Sequence, residues 1–225
     1  MAETVPPPRR CFADLHDFLH ALEAAGEVVR VPFEVDPYLE ISALTDLQCK
    51  APGGGKALLF ERVKGSRWPV AINLFGSERR MCMALGVETL EEPGRRLRAL
   101  LELPAGGLGV GELLSRLHAL SRFRPRRVRT APCKEVVERD PDLTELPVIT
   151  AWPEDGGPFI SLPLVFSRSP AGGPPNVGMY RMQLYDRTTT GMHWHIHKHG
   201  AAHLDEAAGR GERLPVAVAL GGDPA

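Results

Sequence analysis

The chain has 225 residues, of which 43% are hydrophobic and 24% are charged, as in globular proteins that bury a sizeable core. Its formal net charge of −1 provides no field that would attract nucleic acid or an acidic membrane surface, so we expect neither partner. No apolar run approaches the roughly 18 residues that a membrane span requires.

Two further features bear on the cell compartment. The four cysteines lie far apart and form no C-x-x-C pair, which excludes a zinc knuckle and a dense disulfide framework. Residues 1–9 lack an apolar core and predict a loose leader rather than a secretory signal. We therefore expect a cytoplasmic protein.

The first half of the chain alternates helix and strand patterns. The apolar spacing in "CFADLHDFLHALEAAGE" predicts a helix that ends before Gly26, and "EVVRVPFEV" predicts a strand that Pro32 places at a sheet edge. After these come a helix over "DPYLEISALTDLQCKA", a turn at "PGGGK", strands over "ALLFERV" and "WPVAINLFG", and helices over "SERRMCMALGV" and "LEEPGRRLRALLEL". This alternation predicts an α/β domain over residues 10–121.

An arginine-rich segment follows this domain. It contains Arg122, Arg124, Arg126, Arg127 and Arg129. Clustered arginines can hold phosphates, but Phe123 is the one aromatic residue among them, and base stacking would need more. The composition favours a solvated linker between two domains.

Residues 122–225 carry short strand patterns separated by turns. The strands are predicted over "PFISLPLVFSRS", "NVGMYRMQLYD", "MHWHIHKHG" and "RLPVAVALGG", with turns at "PAGGPP" and "RTTTG". "AAHLDEAAGRGE" predicts a helix that ends at Gly209 and exposes His203 on its surface. Consecutive antiparallel strands of this kind predict a sandwich or a small barrel.

Four histidines occupy alternate positions near the end of the third of these strands, at His193, His195, His197 and His199. In an extended strand they would share one face, and Met192, Trp194 and Ile196 would pack into the core from the other face. Neutral imidazole is a good ligand for divalent metals, so the pattern indicates a metal-binding or cavity-lining face. A solvated strand face is the alternative.

The preceding strand suggests an anionic ligand. Arg181, Arg187 and Lys198 stand against a single acid, Asp186, which suits a phosphate held together with a metal. Asn176 could add an amide oxygen to such a site. Alternatively, Asn176 begins a strand and Arg181 forms a surface ion pair.

Several long motifs resemble the UbiD family of reversible, non-oxidative decarboxylases. They are "LPVITAWPEDGGPFISLPLVFSRSP", "NVGMYRMQLYDRTTTGMHWHIHKHGAAH" and "RLPVAVALGGDPA", with "FLHALEAAGEVVRV", "ALLFERVKG" and "NLFGSERRMCMALGV" nearer the N-terminus. The resemblance implies an α+β protein, in which an N-terminal α/β domain precedes a split antiparallel β-barrel similar to flavin reductases. It also implies prenylated FMN as cofactor, bound through its phosphate to a divalent metal, usually manganese, with a potassium ion nearby.

The resemblance also implies roles for individual residues. Asn176 and His197 would bind the metal, and Arg181 would hold the substrate carboxylate as a catalytic residue. The cofactor-binding residues would be Met179, Tyr180, Arg181, His193, Trp194, His195, Lys198 and His199. Some family members have glycine where this chain has His199, which leaves less room for the cofactor there.

Family members are much longer than this chain, and their third metal ligand, a glutamate, and their acidic proton donor would fall beyond Ala225. The missing C-terminal domain would also supply the contacts of a homo-oligomer. The chain therefore resembles the front half of a decarboxylase.

The activity that the resemblance implies is loss of CO2 from an aromatic or α,β-unsaturated acid, such as a precursor in ubiquinone or menaquinone biosynthesis. A flavin prenyltransferase would supply the cofactor. Two alternatives stay open. One is a non-catalytic flavin- or phosphate-binding module or subunit that needs a partner chain, and the other is a cupin-like metal enzyme with its H-x-H pattern on a strand.

Overall fold

The computed structural model describes residues 12–101, 109–121 and 128–223. The helices are α1 (Leu15–Ala24), α2 (Glu40–Cys49), α3 (Glu78–Leu85), α4 (Glu92–Leu101), α5 (Val110–Ser121) and α6 (His199–Gly209). The strands are β1 (Val28–Val35), β2 (Ala57–Val63), β3 (Val70–Ile72), β4 (Phe159–Ile160), β5 (Leu164–Ser167), β6 (Asn176–Met179), β7 (Met182–Leu184), β8 (Thr190–Met192) and β9 (Ala217–Ala219). This mixture of helices and small sheets confirms the α+β class.

The first sheet has the strand order β1-β2-β3. β1 and β2 are parallel and joined through α2, whereas β3 pairs with β2 in the antiparallel direction. β1 lies at the sheet edge, which confirms the position predicted from Pro32. The pairing register shifts between Val31 and Glu34, around this proline, because proline has no N–H to donate to the ladder.

Apolar clusters cover both faces of this sheet. Ala57 and Leu58 are neighbours on β2, so their side chains point to opposite faces. Ala57 packs with Phe18 and Leu22 of α1, whereas Leu58 packs with Ile41 of α2. Helices therefore pack on both sides of the sheet, as the alternation of the first half predicts.

A buried ion cluster joins the start of β1 to α3. Arg80 is fully buried, and its Nη1 donates to Glu27 Oε2 at 3.0 Å and to the carbonyl oxygen of Gly55 at 2.6 Å. Lys56 and Arg79 approach the other carboxylate oxygen at 3.3 and 3.1 Å. Glu27, which is itself 6% exposed, thus has three cationic partners.

The predicted end of α1 before Gly26 agrees with the structure, and the helix predicted over "SERRMCMALGV" is α3, which ends at Leu85. The side chains of Asp14 and Ser77 cap their N-termini by accepting backbone N–H groups, and Gly26 and Gly86 follow their C-terminal ends with positive φ. α5 is not predicted, although Leu113, Leu114, Leu117 and Leu120 recur in it at helical spacing. These four leucines are exposed.

The last described range contains two three-stranded antiparallel sheets, with the orders β4-β7-β8 and β6-β5-β9. The antiparallel pairing is confirmed. The described strands form two small sheets rather than one closed barrel. α6 lies next to β6 and ends at Gly209, as predicted.

Three strand predictions in this range are wrong. "PFISLPLVFSRS" is interrupted at residues 161–163, so β4 and β5 belong to different sheets. "NVGMYRMQLYD" is interrupted at Tyr180 and Arg181, so β6 and β7 belong to different sheets. The predicted histidine strand ends at Met192, and residues 193–198 form a loop that leads into α6. His193 makes one more backbone bond to Arg181, after which the chain turns away from the sheet.

The histidines therefore do not share one strand face. His199 is the first residue of α6, and the helix-forming, alanine-rich segment after it prevails over the alternating pattern. Ile196, predicted to pack into the core, is 79% exposed.

Contacts link the first and last described ranges. Leu39 N donates to Thr150 O, Thr150 N donates to Pro37 O, and Leu15 N donates to Gly221 O. Most of the arginine-rich segment and the leader lie outside the described residues, so the predicted boundaries at 9 and 121 stay predictions. Among the helices in the described part of the chain, none combines the length and apolarity needed to cross a bilayer.

Candidate functional site

Asn176, the first residue of β6, is half-buried. Its Nδ2 donates to the hydroxyl oxygen of Tyr180 at 3.4 Å. Its Oδ1 has no hydrogen-bond partner among the described residues, so this oxygen is available to an external ligand. The amide oxygen is also the atom through which an asparagine binds a metal.

Tyr180 occupies the space between β6 and α6. It is 5% exposed, and its hydroxyl oxygen accepts the backbone N–H of Gly200 at 3.0 Å. Its ring centroid lies 4.8 Å from that of Trp194, which is half-buried. A Cβ on Gly200 would lie 2.2 Å from the Trp194 ring, and a Cβ on Gly178 would lie 2.6 Å from the Tyr180 ring. The two glycines therefore permit this close packing of aromatic rings.

Arg181 follows Tyr180 directly and has the opposite environment. Its side chain is exposed, and the guanidinium carbon lies 4.4 Å from the centroid of the Phe159 ring. This cation–π contact orients the guanidinium without neutralising its charge. Phe159 is a contact that the sequence analysis missed, because β4 and β7 pair only in the folded sheet.

The remaining predicted site residues lie around this centre. His193, His195, His197, Lys198 and His199 are exposed on the loop and at the start of α6, and the rings of His195 and His197 lie 5.4 Å apart. Met179 is 61% exposed at the end of β6. Contacts join Asn176 and Trp194 through Tyr180, and His193 N donates to Arg181 O, whereas His195, His197 and Lys198 make no hydrogen bond or ring contact with Asn176 or Arg181 among the described residues. The predicted site residues thus lie on a strand, a loop and a helix rather than on one strand face.

His203 was predicted to be exposed on the surface of α6, and this prediction is wrong. It is half-buried, and its Nδ1 lies 3.0 Å from the hydroxyl oxygen of Ser167, which is 3% exposed. This contact fastens α6 to β5. Its position on the same helical face as Gly200 would have been the sequence signal.

The charges of the region favour an anion. The hydroxyl and amide groups of Thr188 and Thr189 donate to Asp186, and these hydrogen bonds hold the pKa of that carboxyl below its ordinary value. Arg187 is bound to Asp142 at 3.0 Å. The charged groups of Asp186 and Arg187 are therefore already bound by other residues of the protein. Arg181 and Lys198 have no carboxylate partner among the residues that the structure describes, which leaves two cations for a ligand.

The donor set fits part of a metal site. Asn176 offers a free amide oxygen, and His197 offers an exposed imidazole three residues before Gly200. No group of three or more histidine, cysteine or acidic side chains in the described ranges is arranged to hold a metal ion. The chain as described therefore provides two candidate ligands, and a complete site needs at least one more.

Two family models match the chain. The 3-octaprenyl-4-hydroxybenzoate carboxy-lyase N-terminal domain matches residues 19–100, and the 3-octaprenyl-4-hydroxybenzoate carboxy-lyase Rift-related domain matches residues 126–225. These matches take in most of the chain and place it among proteins that contain 3-octaprenyl-4-hydroxybenzoate carboxy-lyase domains. The chain belongs to the UbiD family.

Relatives and solved structures agree with this assignment. An uncharacterized protein of Archaeoglobus fulgidus is 48% identical over 216 residues, which cover 95% of this chain and 44% of the relative. The closed form of vanillic acid decarboxylase from Sedimentibacter hydroxybenzoicus has a TM-score of 0.77 and 28% identity, covering 96% of this chain and 44% of that one. An evolved dimeric form of HmfF from Pelotomaculum thermopropionicum, in complex with prFMN, has a TM-score of 0.75 and 31% identity, covering 94% and 45%. The chain thus spans less than half the length of these proteins and resembles an N-terminal half.

Proposed function

We propose that this chain is the cofactor-binding portion of a decarboxylase that removes CO2 from an aromatic or α,β-unsaturated carboxylic acid. The observation that carries the proposal is the convergence of Asn176, Arg181 and the loop before α6, in a chain of the UbiD family. Solved relatives hold FMN or prFMN, which supports a flavin in this region.

The cofactor would be prenylated FMN with its phosphate on a divalent metal, manganese by the family resemblance, and with a potassium ion nearby. Asn176 and His197 would bind the metal. Met179, Arg181, His193, His195, Lys198 and His199 are exposed and would contact the cofactor directly, whereas Tyr180 and Trp194 would support it from beneath. The bound flavin would supply the electron sink that decarboxylation requires and that side chains lack.

The chain's own residues would bind and orient the substrate. Arg181 would receive the carboxylate, because its guanidinium is exposed, keeps its full charge and is oriented by Phe159. The third metal ligand and the proton donor would come from the part of a full-length protein that follows residue 225. The same part would complete the split barrel from the two small sheets and build a homo-oligomer.

The test is cofactor retention by the chain after co-expression with a flavin prenyltransferase. Mass spectrometry of released small molecules should find prenylated FMN, and both Asn176→Ala and His197→Ala should reduce the amount recovered. FMN should bind and riboflavin should not, because the phosphate carries the interaction with the metal. Arg181→Gln should also reduce the amount recovered, because Arg181 is a proposed cofactor contact. Arg187→Gln is the matched control, since Arg187 is bound to acids near the turn. Equal retention of riboflavin and FMN would overturn the proposed site.

A second candidate is a non-catalytic flavin- or phosphate-binding module, or a subunit completed by a partner chain. It is favoured by the two-ligand donor set of the described residues. Sustained CO2 release by the isolated chain would contradict this alternative. The cupin-like alternative has lost its basis, because His193, His195 and His197 lie on a loop and the chain belongs to another family.

A further inference from the structure

We propose that Tyr180 is a positioning residue that couples the metal ligand Asn176 to the first turn of α6. This inference rests on the proposed function, because it concerns how the metal-binding groups of that site are held. The observation behind it needs no bound metal or cofactor. The buried hydroxyl of Tyr180 accepts hydrogen bonds from Asn176 of β6 and from Gly200 of α6.

The first bond sets the orientation of the Asn176 amide. In a planar amide the nitrogen and oxygen lie on opposite branches of one carbon, so a nitrogen held against the Tyr180 hydroxyl directs Oδ1 the other way. That oxygen is the group left without a partner among the described residues. Tyr180 therefore selects the side on which Asn176 can bind a cation.

The second bond fixes the segment that carries the other candidate ligand. Gly200 is buried, and its N–H is one of the donors at the start of α6 that have no acceptor within the helix. The Tyr180 hydroxyl accepts it at 3.0 Å. His197 lies three residues earlier, at most about 11 Å away along the chain, so the anchored helix start restricts where its imidazole can lie.

The packing around the ring leaves little freedom to the hydroxyl. Tyr180 is 5% exposed and packs against Trp194, and neither Gly178 nor Gly200 has room for a Cβ beside it. A residue so enclosed has almost no surface for a ligand. It acts through the two groups that it binds.

The test compares Tyr180→Phe with the wild-type chain by Mn²⁺ titration monitored by electron paramagnetic resonance. The variant keeps the ring and loses the hydroxyl, so we expect about tenfold weaker Mn²⁺ binding, the usual effect of losing a group that orients a metal ligand. Tyr185→Phe is the matched control, because Tyr185 is 60% exposed directly after β7, and the Mn²⁺ affinity of this variant should equal that of the wild type.

A double-mutant cycle separates positioning from general loss of structure. If Tyr180 acts through the Asn176 amide, Tyr180→Phe should weaken Mn²⁺ binding much less in an Asn176→Ala background. An undiminished effect in that background would overturn the inference. So would unchanged Mn²⁺ affinity of Tyr180→Phe when Asn176→Ala itself binds weakly, and in that case the proposed function would stand.

Hydrogen exchange of the wild-type chain gives a test that needs no variant. Coupling is reciprocal, so Mn²⁺ should slow exchange of the Gly200 amide if the Tyr180 link is real. Mn²⁺ binding without added protection of Gly200 would refute the coupling. Absence of any Mn²⁺ binding by the wild type would refute both this inference and the metal part of the proposed function.

Discussion

Replacement of Arg80 by methionine should destabilise the fold far more than the same change at its neighbour Arg79. Both guanidinium groups contact Glu27, at 3.0 and 3.1 Å, but Arg80 is fully buried whereas the Arg79 side chain is 64% exposed. The two variants form a pair on one helix that differs in burial and in the hydrogen bonds from Arg80 to the carbonyl oxygens of Gly54 and Gly55.

The magnitude follows from what each variant leaves behind. Removal of one partner from a buried ion pair costs about 3–5 kcal/mol. Lys56 and Arg79 continue to neutralise Glu27 after Arg80→Met, whereas the carbonyl oxygen of Gly55 loses its 2.6 Å donor. We expect the lower end of that range, about 3 kcal/mol, or a melting temperature roughly 6–12 °C lower. Arg79→Met should cost less than about 1 kcal/mol, as exposed pairs do.

Urea unfolding monitored by circular dichroism would measure both free energies of unfolding. An Arg80→Met loss no larger than that of Arg79→Met would show that the buried cluster is not a stabilising link between β1 and α3. A change in the urea dependence itself would instead point to an altered unfolded state.

Three further outcomes are expected. Burial raises the pKa of Glu27, but hydrogen bonds and charges from its three basic partners outweigh burial and lower this pKa from its ordinary value of 4.5. The stabilisation by these partners is therefore present above pH 4.5 and is lost as the pH falls through the lowered pKa. Glu27→Gln should thus be less stable near neutral pH, and in acid-unfolding curves its stability should fall less than that of the wild type below about pH 4.5. Gly200→Ala should lower the melting temperature because of the steric conflict with the aromatic pair, whereas Gly209→Ala, which has open space, should leave it unchanged or raise it. Burial raises the pKa of the Cys82 thiol, so peptide mapping should find it alkylated more slowly than the exposed Cys49, and equal rates would contradict its enclosure.

Local sequence signals predicted much of the first half of the fold. Gly26 ends α1 because a positive φ is a local requirement, and Pro32 marks an edge strand because a missing N–H is a local property. α5 escaped prediction even though its leucines recur at helical spacing.

The candidate site was harder to predict, because alternation alone does not define a strand. His193, His195, His197 and His199 alternate with other residues, yet α6 begins at the last of them and the chain turns between β8 and that helix. The aromatic contact of Tyr180 with Trp194 and the cation–π contact of Arg181 join residues that only the folded sheets bring together. Family motifs located the region, but tertiary packing determined which side chains face outward.

The break between β6 and β7 has a mechanical consequence for Arg181. The chain passes from one small sheet to the other through two residues, Tyr180 and Arg181, and it makes a second short passage between β4 and β5. Any rotation of one sheet against the other must be absorbed by backbone torsions at these joints. Arg181 therefore lies in a hinge between the two sheets, and the direction of its guanidinium depends on the angle between them.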